Sequence, residues 1–162
     1  MDKRRNSSPP QLFRIRSPET TNKRRRASTF LNTVKIKAGG AVNFIIGGFH
    51  QPIVYDDKTK PGDINVDDTT TTTGPTPSPP VPLIDDPANR IYRGLDPSLQ
   101  PLDRGSPPAF LQDRVEVVFF PKPGKYLVIC GIRGHFVNDG MYDFVRVLPP
   151  KDDEAEDEEE ED

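Results

Sequence analysis

The chain has 162 residues, room for one modest domain, but 19 prolines, no tryptophan and 33% hydrophobic residues imply a folded part smaller than the whole. Its formal charge of −3 conceals two opposite ends: nine Lys/Arg against two acids in residues 1–26, and ten acids in residues 152–162. A single cysteine excludes an internal disulfide, no apolar run approaches the length of about 18 residues that spans a membrane, and the basic start lacks the apolar stretch of a secretory signal.

In chain order, residues 1–28 read as a basic disordered segment, because like charges in blocks repel one another. The pairs "DKRR" and "NKRRR" fit nucleic acid or anionic lipid by charge alone, but solvated ends are the simpler reading, and no specific nucleic-acid partner is expected. A domain is expected over 29–149. "TFLNTVKIKAGG" alternates Phe30, Val34 and Ile36 loosely with polar residues and closes on Gly39–Gly40, a strand and a turn. "AVNFIIGG" predicts a second strand and "HQPIVYDD" a third, with Pro52 placing the start of the third toward a sheet edge.

Residues 58–114 read as a long insertion. "TTTTTGPTPSPPVP" is low in complexity and short of backbone donors, and the remainder has only scattered apolar residues, with a helical turn near 97–100. The acidic pairs at 56–57, 67–68 and 85–86 lack calcium-loop spacing and read as solvated turns. Order returns at "DRVEVVFFPKPGKYLVICG", where Val115, Val117 and Phe119 share one strand face. In the next strand Tyr126, Val128 and Cys130 share a face, with Leu127 and Ile129 on the other. "MYDFVRVL" predicts the last strand, and residues 150–162 an acidic disordered tail. Short strands, Gly/Pro turns and no helical period predict an all-β fold, an antiparallel sandwich or barrel.

The soft donors are few and crowded. Cys130, His135 and Met141, the only internal methionine, fall within twelve residues, and the one other histidine is His50. A blue copper site uses two imidazoles and a thiolate in a plane, with a weak axial thioether, and this chain holds that donor set once. Two rivals are weaker. Zinc in a His2Cys site lacks a fourth strong donor, and a Cys130–His135 nucleophile pair lacks an orienting third group.

Around these donors the sequence resembles the cupredoxins. "VNFIIGGFHQPIVYDD" is similar to the segment that presents the first ligand histidine in plastocyanins, pseudoazurins and auracyanins. "PKPGKYLVICGIRGHFVNDGMYDFVRV" is similar to the C-terminal signature in which Pro-Gly-x-Tyr leads to Cys, His, Gly-Met and a closing strand. The likeness covers about residues 30–57 and 114–148. It implies a Greek-key β-sandwich carrying one copper ion on His50, Cys130, His135 and Met141. Five residues separate His135 from Met141, against the family's three or four, so "FVNDG" is expected to bulge. Gln51 stands where many members have an asparagine that ties the two ligand loops.

The resemblance further implies a monomeric one-electron carrier rather than an enzyme, working with a redox protein. Its implied location is periplasmic or otherwise outside the cytoplasm, although no signal peptide is legible. Ile132, Phe136 and Val137 would form a dry docking patch beside His135, or else close the end of the sandwich. A copper storage or delivery module, and a metal-free interaction protein of the same fold, are the alternatives.

Overall fold

The computed structural model describes residues 11–15, 33–73, 79–99 and 114–150. They form strands β1 (Gln11–Ile15), β2 (Val34–Lys37), β3 (Gly40–Ile46), β4 (Pro52–Asp57), β5 (Thr69–Thr71), β6 (Pro82–Ile84) and β7 (Arg90–Arg93). These are followed by β8 (Arg114–Phe120), β9 (Gly124–Cys130), a short helix α1 (Arg133–Val137) and β10 (Tyr142–Leu148). One sheet has the order β1-β3-β8, a second β2-β10-β9-β4-β7, and β5 and β6 make a separate ribbon.

The apolar alternation of the strands explains how the two main sheets stack. Val42, Phe44 and Ile46 of β3 and Val118 and Phe120 of β8 meet Val54 of β4, Tyr126, Val128 and Cys130 of β9, and Val145 and Val147 of β10 in one buried cluster. The turn after β2 spans both sheets: the Ala38 N–H donates to Leu148 O and the Gly39 N–H to Phe120 O. The expected all-β sandwich is therefore present. Its pairing is not wholly antiparallel, because β1 runs parallel to β3 and β2 parallel to β10.

The predicted first strand is found over Val34–Lys37, and Phe30 lies outside the described residues. Pro52 does open β4, but not at an edge: β4 lies between β9 and β7. As the first residue of the strand it still offers its carbonyl, which accepts from the Gly94 N–H at 2.8 Å. Val115, Val117 and Phe119 do share a face, and it is the outer one; Glu116, Val118 and Phe120 point inward. Residues 11–15, assigned by charge to a disordered segment, form β1, registered along β3 from Gln11 opposite Val42 to Ile15 opposite Ile46. A net charge averaged over 26 residues hides the short uncharged run "QLF" within it. The remainder of 1–28, residues 100–113 and the acidic tail from 151 lie outside the described residues.

The largest correction concerns 58–114. Its described parts hold β5, β6, β7 and 3-10 turns at Pro61–Asp63 and Pro97–Leu99, the latter where a helical turn was expected. They cover the second face of the five-stranded sheet. Ile53 and Tyr55 of β4 and Leu127 and Ile129 of β9 pack there against Ile64, Ile84 and Phe136, while Leu83 turns into the inter-sheet cluster. Without this cover those four strand residues would face water. The acidic pair 85–86 is part of the fastening rather than a solvated turn. Asp86 is buried and accepts the N–H groups of Asn65 (2.8 Å) and Ala88 (2.9 Å), and Asp85 pairs with Arg90 and Arg93 at 2.8 Å each. Thr69–Thr71 of the threonine run is strand, and Thr72 is buried.

Ile84→Ala is accordingly expected to cost about 2–5 kcal/mol in urea unfolding of the metal-free protein, the range for truncating a buried isoleucine. Thr71→Ala, at an exposed position, should stay within about 0.5 kcal/mol. Equal small effects at both positions would mean that the segment does not cover the sheet.

Candidate metal centre

His50 and Cys130, 80 positions apart in the chain, meet because β4 pairs with β9 in a register that sets Pro52 opposite Cys130. His50 lies two residues before Pro52, at the same end of the pair. One backbone bond closes that end: the Gly131 N–H donates to Gln51 O at 2.6 Å. The approach leaves no room for a side chain, since a Cβ on Gly131 would stand 2.5 Å from Gln51 Oε1 and 2.9 Å from Ile53 Cδ1.

His135 comes from α1, the short helix where a loop was expected. The five residues between His135 and Met141 are taken up by the end of this helix and a turn through Gly140, whose φ of +63° favours glycine. The expected bulge is thus a helical turn that returns the chain to its place. The Met141 N–H donates to His135 O at 3.0 Å, and the Cys130 N–H to Met141 O at 3.0 Å. Met141 is 1% exposed and packs in the same cluster as Cys130.

Three donor atoms converge. Cys130 Sγ stands 3.6 Å from His50 Nδ1 and 3.5 Å from His135 Nδ1, and the two nitrogens are 3.2 Å apart. A triangle with these sides has its centre about 2.0 Å from each corner, the length of a bond from imidazole to a first-row metal ion and about 0.3 Å short of one from thiolate, so a small outward shift of the sulfur completes the fit. The residues fit a metal on the geometry of their donors. His50 is buried at 1% exposure, whereas His135 is only half-buried.

Burial dominates the electrostatics. It lowers His50 from the ordinary 6.5 to about 4, with the charges of His135 and Arg114 acting in the same sense. Burial also lowers His135, opposed by Asp139. It pushes the Cys130 thiol up to about 11, although the backbone N–H groups of Gln51 and Ile132 are directed at the sulfur and favour the thiolate. Without metal the site is therefore neutral at pH 7: two imidazoles and a thiol.

Neither a protein-family model nor a curated protein sequence matches the chain. Among solved structures it is similar to a dithionite-reduced auracyanin of Roseiflexus castenholzii, at TM-score 0.49 and 14% identity, covering 89% of this chain and 100% of that one. It is also similar to auracyanin B, at TM-score 0.47 and 21% identity over 89% and 93% of the two chains. A third is the pseudoazurin of Hyphomicrobium denitrificans, at TM-score 0.39 and 18% identity over 88% and 77%. The fold is a mostly β sandwich.

In this sandwich the structure brings His50, Cys130 and His135 together and buries Met141 beside Cys130. Gln51 does not tie the ligand loops through its side chain. Its Nε2 donates to Gly94 O at 2.8 Å, and the tie to the Cys130 segment is the backbone bond from Gly131. Two of the three residues expected to form a docking patch are core: Ile132 is 3% and Phe136 8% exposed, so they close the sandwich, and only Val137 faces solvent.

The sequence reading missed Arg114, Glu116 and Tyr92, which sit behind His50. Arg114 Nη2 donates to His50 O at 2.8 Å, Arg114 Nε to Glu116 Oε1 at 2.6 Å, and the Tyr92 hydroxyl to Glu116 Oε2 at 2.6 Å. The signal lay in the alternation of "RVEVVFF". If Val118 and Phe120 point inward, so do Arg114 and Glu116, and a charged pair on a core face asks for a reason.

The pH dependence of metal-free stability tests the neutral site. The unfolded chain takes up a proton at His50 near pH 6.5 and the folded chain only near 4, so stability falls as pH drops through that window, by about 3 kcal/mol. At the other end the unfolded thiol ionises from its ordinary 9.0 and the folded one near 11, so stability falls again as pH rises between them. Urea unfolding from pH 4 to 11 should therefore show a maximum between about 6.5 and 9. A His50→Gln variant should lose less than the unaltered protein below pH 6.5.

Proposed function

We propose that this chain binds one copper ion through His50, Cys130, His135 and Met141 and serves as a one-electron carrier. The observation that carries the reading is the triangle of two imidazole nitrogens and one thiol sulfur, with His50 and Cys130 buried and His135 half-buried, of a size close to that needed for a first-row metal ion. Copper bound there would supply a Cu(I)/Cu(II) couple, and a donor set of two imidazoles, a thiolate and a thioether is the one that serves this couple.

The protein's own part is to hold its donors still. Cys130 ends β9 in the middle of a five-stranded sheet, with its N–H bonded to Met141 O. His50 is fixed through its carbonyl by Arg114, and His135 through its carbonyl by the Met141 N–H. Donors fixed in this way need little rearrangement when the charge at the site changes, which is what a carrier requires. His135, the more exposed imidazole, is the natural point of contact with a redox partner. Such a chain would act without a catalytic step of its own, in a compartment outside the cytoplasm as the resemblance implies. Among the described residues no helix is long and apolar enough to cross a membrane.

Copper titration followed by visible absorption tests the proposal. An intense blue band that bleaches reversibly on one-electron reduction is the expected result. A colourless Cu(I) complex that exchanges readily would point to storage or delivery instead, and no uptake at all would leave a metal-free interaction protein. Cys130→Ser should abolish the band, since it arises from the thiolate. Met141→Leu should spare binding and colour and raise the reduction potential, because an axial thioether tunes the metal without defining its plane. An unchanged potential would make Met141 a core residue only.

Metal uptake must expel the Cys130 proton but none from the imidazoles near neutral pH. Apparent affinity should therefore rise about tenfold per pH unit from pH 7 to 9. Calorimetry in buffers of different ionisation enthalpy should count one proton released per metal bound.

A further inference from the structure

Of the ion pairs among the described residues, Arg114–Glu116 lies deepest, with side chains 9% and 4% exposed. An apolar pair of similar volume is often as stable as a buried ion pair or more so, so stability alone gives little reason for this one. Its arrangement is directional. The guanidinium lies between the carboxylate and the first ligand histidine: Nε donates to Glu116 Oε1 at 2.6 Å, and Nη2 donates to His50 O at 2.8 Å and to Leu95 O at 3.4 Å. Glu116 Oε2 is held from the far side by the Tyr92 hydroxyl at 2.6 Å. Arg114 Nη1 is buried with no hydrogen-bond partner, so the carboxylate does not use the whole cation.

We propose that Arg114 is a positioning and charge-setting residue for the metal centre. It pins the His50 turn through its carbonyl and places a buried positive charge beside the site, with the Glu116–Tyr92 pair as the counterweight. The inference rests on the copper reading of His50, Cys130 and His135. Reduction removes one positive charge from the metal, and a fixed cation close by, poorly screened in the interior, favours the less charged state. Arg114 therefore raises the reduction potential, and Glu116, one bond further away, lowers it by less.

The test is the potential of the copper-loaded protein in four forms: unaltered, Glu116→Gln, Arg114→Lys, and Arg114→Gln with Glu116→Gln. The blue band serves as the control for an intact site, and the His50 carbonyl carbon shift is read by NMR in the metal-free forms. The expected order places Glu116→Gln above the unaltered protein and the double variant below it. Arg114→Lys, which keeps the charge and loses the fork, should stay near the unaltered potential. The His50 carbonyl resonance should move in both Arg114 variants and not in Glu116→Gln.

Potentials that coincide across all four forms with the band intact would overturn the charge-setting role, because a merely structural pair would change stability without ordering potentials by charge. An unmoved His50 carbonyl would overturn the positioning role. If the unaltered protein shows no blue band, the copper reading fails and charge setting fails with it, while the metal-free NMR still decides positioning. Should the double variant not fold, Glu116→Gln against Arg114→Lys decides the sign.

Discussion

The pairing of β4 with β9 is the constraint on which the site depends. It sets Pro52 opposite Cys130, and the bond from the Gly131 N–H to Gln51 O closes the end of the ladder beside His50. Slipping this register by one residue would turn Cys130 out of the inter-sheet core and move His50 away from it, because successive strand residues point to opposite faces. The absence of a side chain at Gly131 permits that approach. The remaining donors follow from the same end of the sheet. β10 returns alongside β9 and brings Met141 back to Cys130, while α1 fills the interval and leaves His135 between them.

At β4 and β9 the sheet is buried on both faces, and this explains the segment between the two motifs. β9 reads Tyr126, Val128 and Cys130 on one side and Leu127 and Ile129 on the other, all buried. The first set needs the opposing sheet and the second needs a cover. Residues 61–66, Ile84 and Phe136 supply it, fastened by the buried Asp86 and by Arg133, whose Nε donates to Val66 O at 2.8 Å. That last bond links the cover to the helix bearing His135, so the cover also holds a donor in place. A segment poor in apolar residues can do this because a few of them, correctly placed, close a face whose other residues come from strands.

The centre also shows how burial and function oppose one another. A dry environment keeps the thiol protonated and the imidazoles neutral, which suits the metal-free fold; a metal bound as proposed would have to displace one proton. The N–H groups of Gln51 and Ile132 directed at the sulfur ease that loss and limit how the thiolate can be oriented. The Arg114–Glu116 pair sets a buried ion pair behind His50, at a cost in desolvation that an apolar pair of similar volume would avoid.

The sequence by itself marked six strands, β2, β3, β4, β8, β9 and β10, and the candidate donors, for local reasons. Shared faces marked β8 and β9, β-branched and aromatic residues before a glycine pair marked β3, and a chain with one cysteine, two histidines and one internal methionine leaves little choice of soft ligands. The apolar residues on both faces of β9 were legible too, but the segment that covers its second face was read as a loop. What only the tertiary structure decided was non-local. Among these features are the entry of β4 into the sheet interior despite Pro52, the two parallel pairings, and the turn of helix that absorbs the five residues before Met141. The meeting of Arg114 with the His50 carbonyl across 64 positions belongs with them. The order of apolar and polar residues along a strand is local, whereas register, sheet order and the partners of a buried charge depend on which segments exclude water together, and that is settled only when the sheets close.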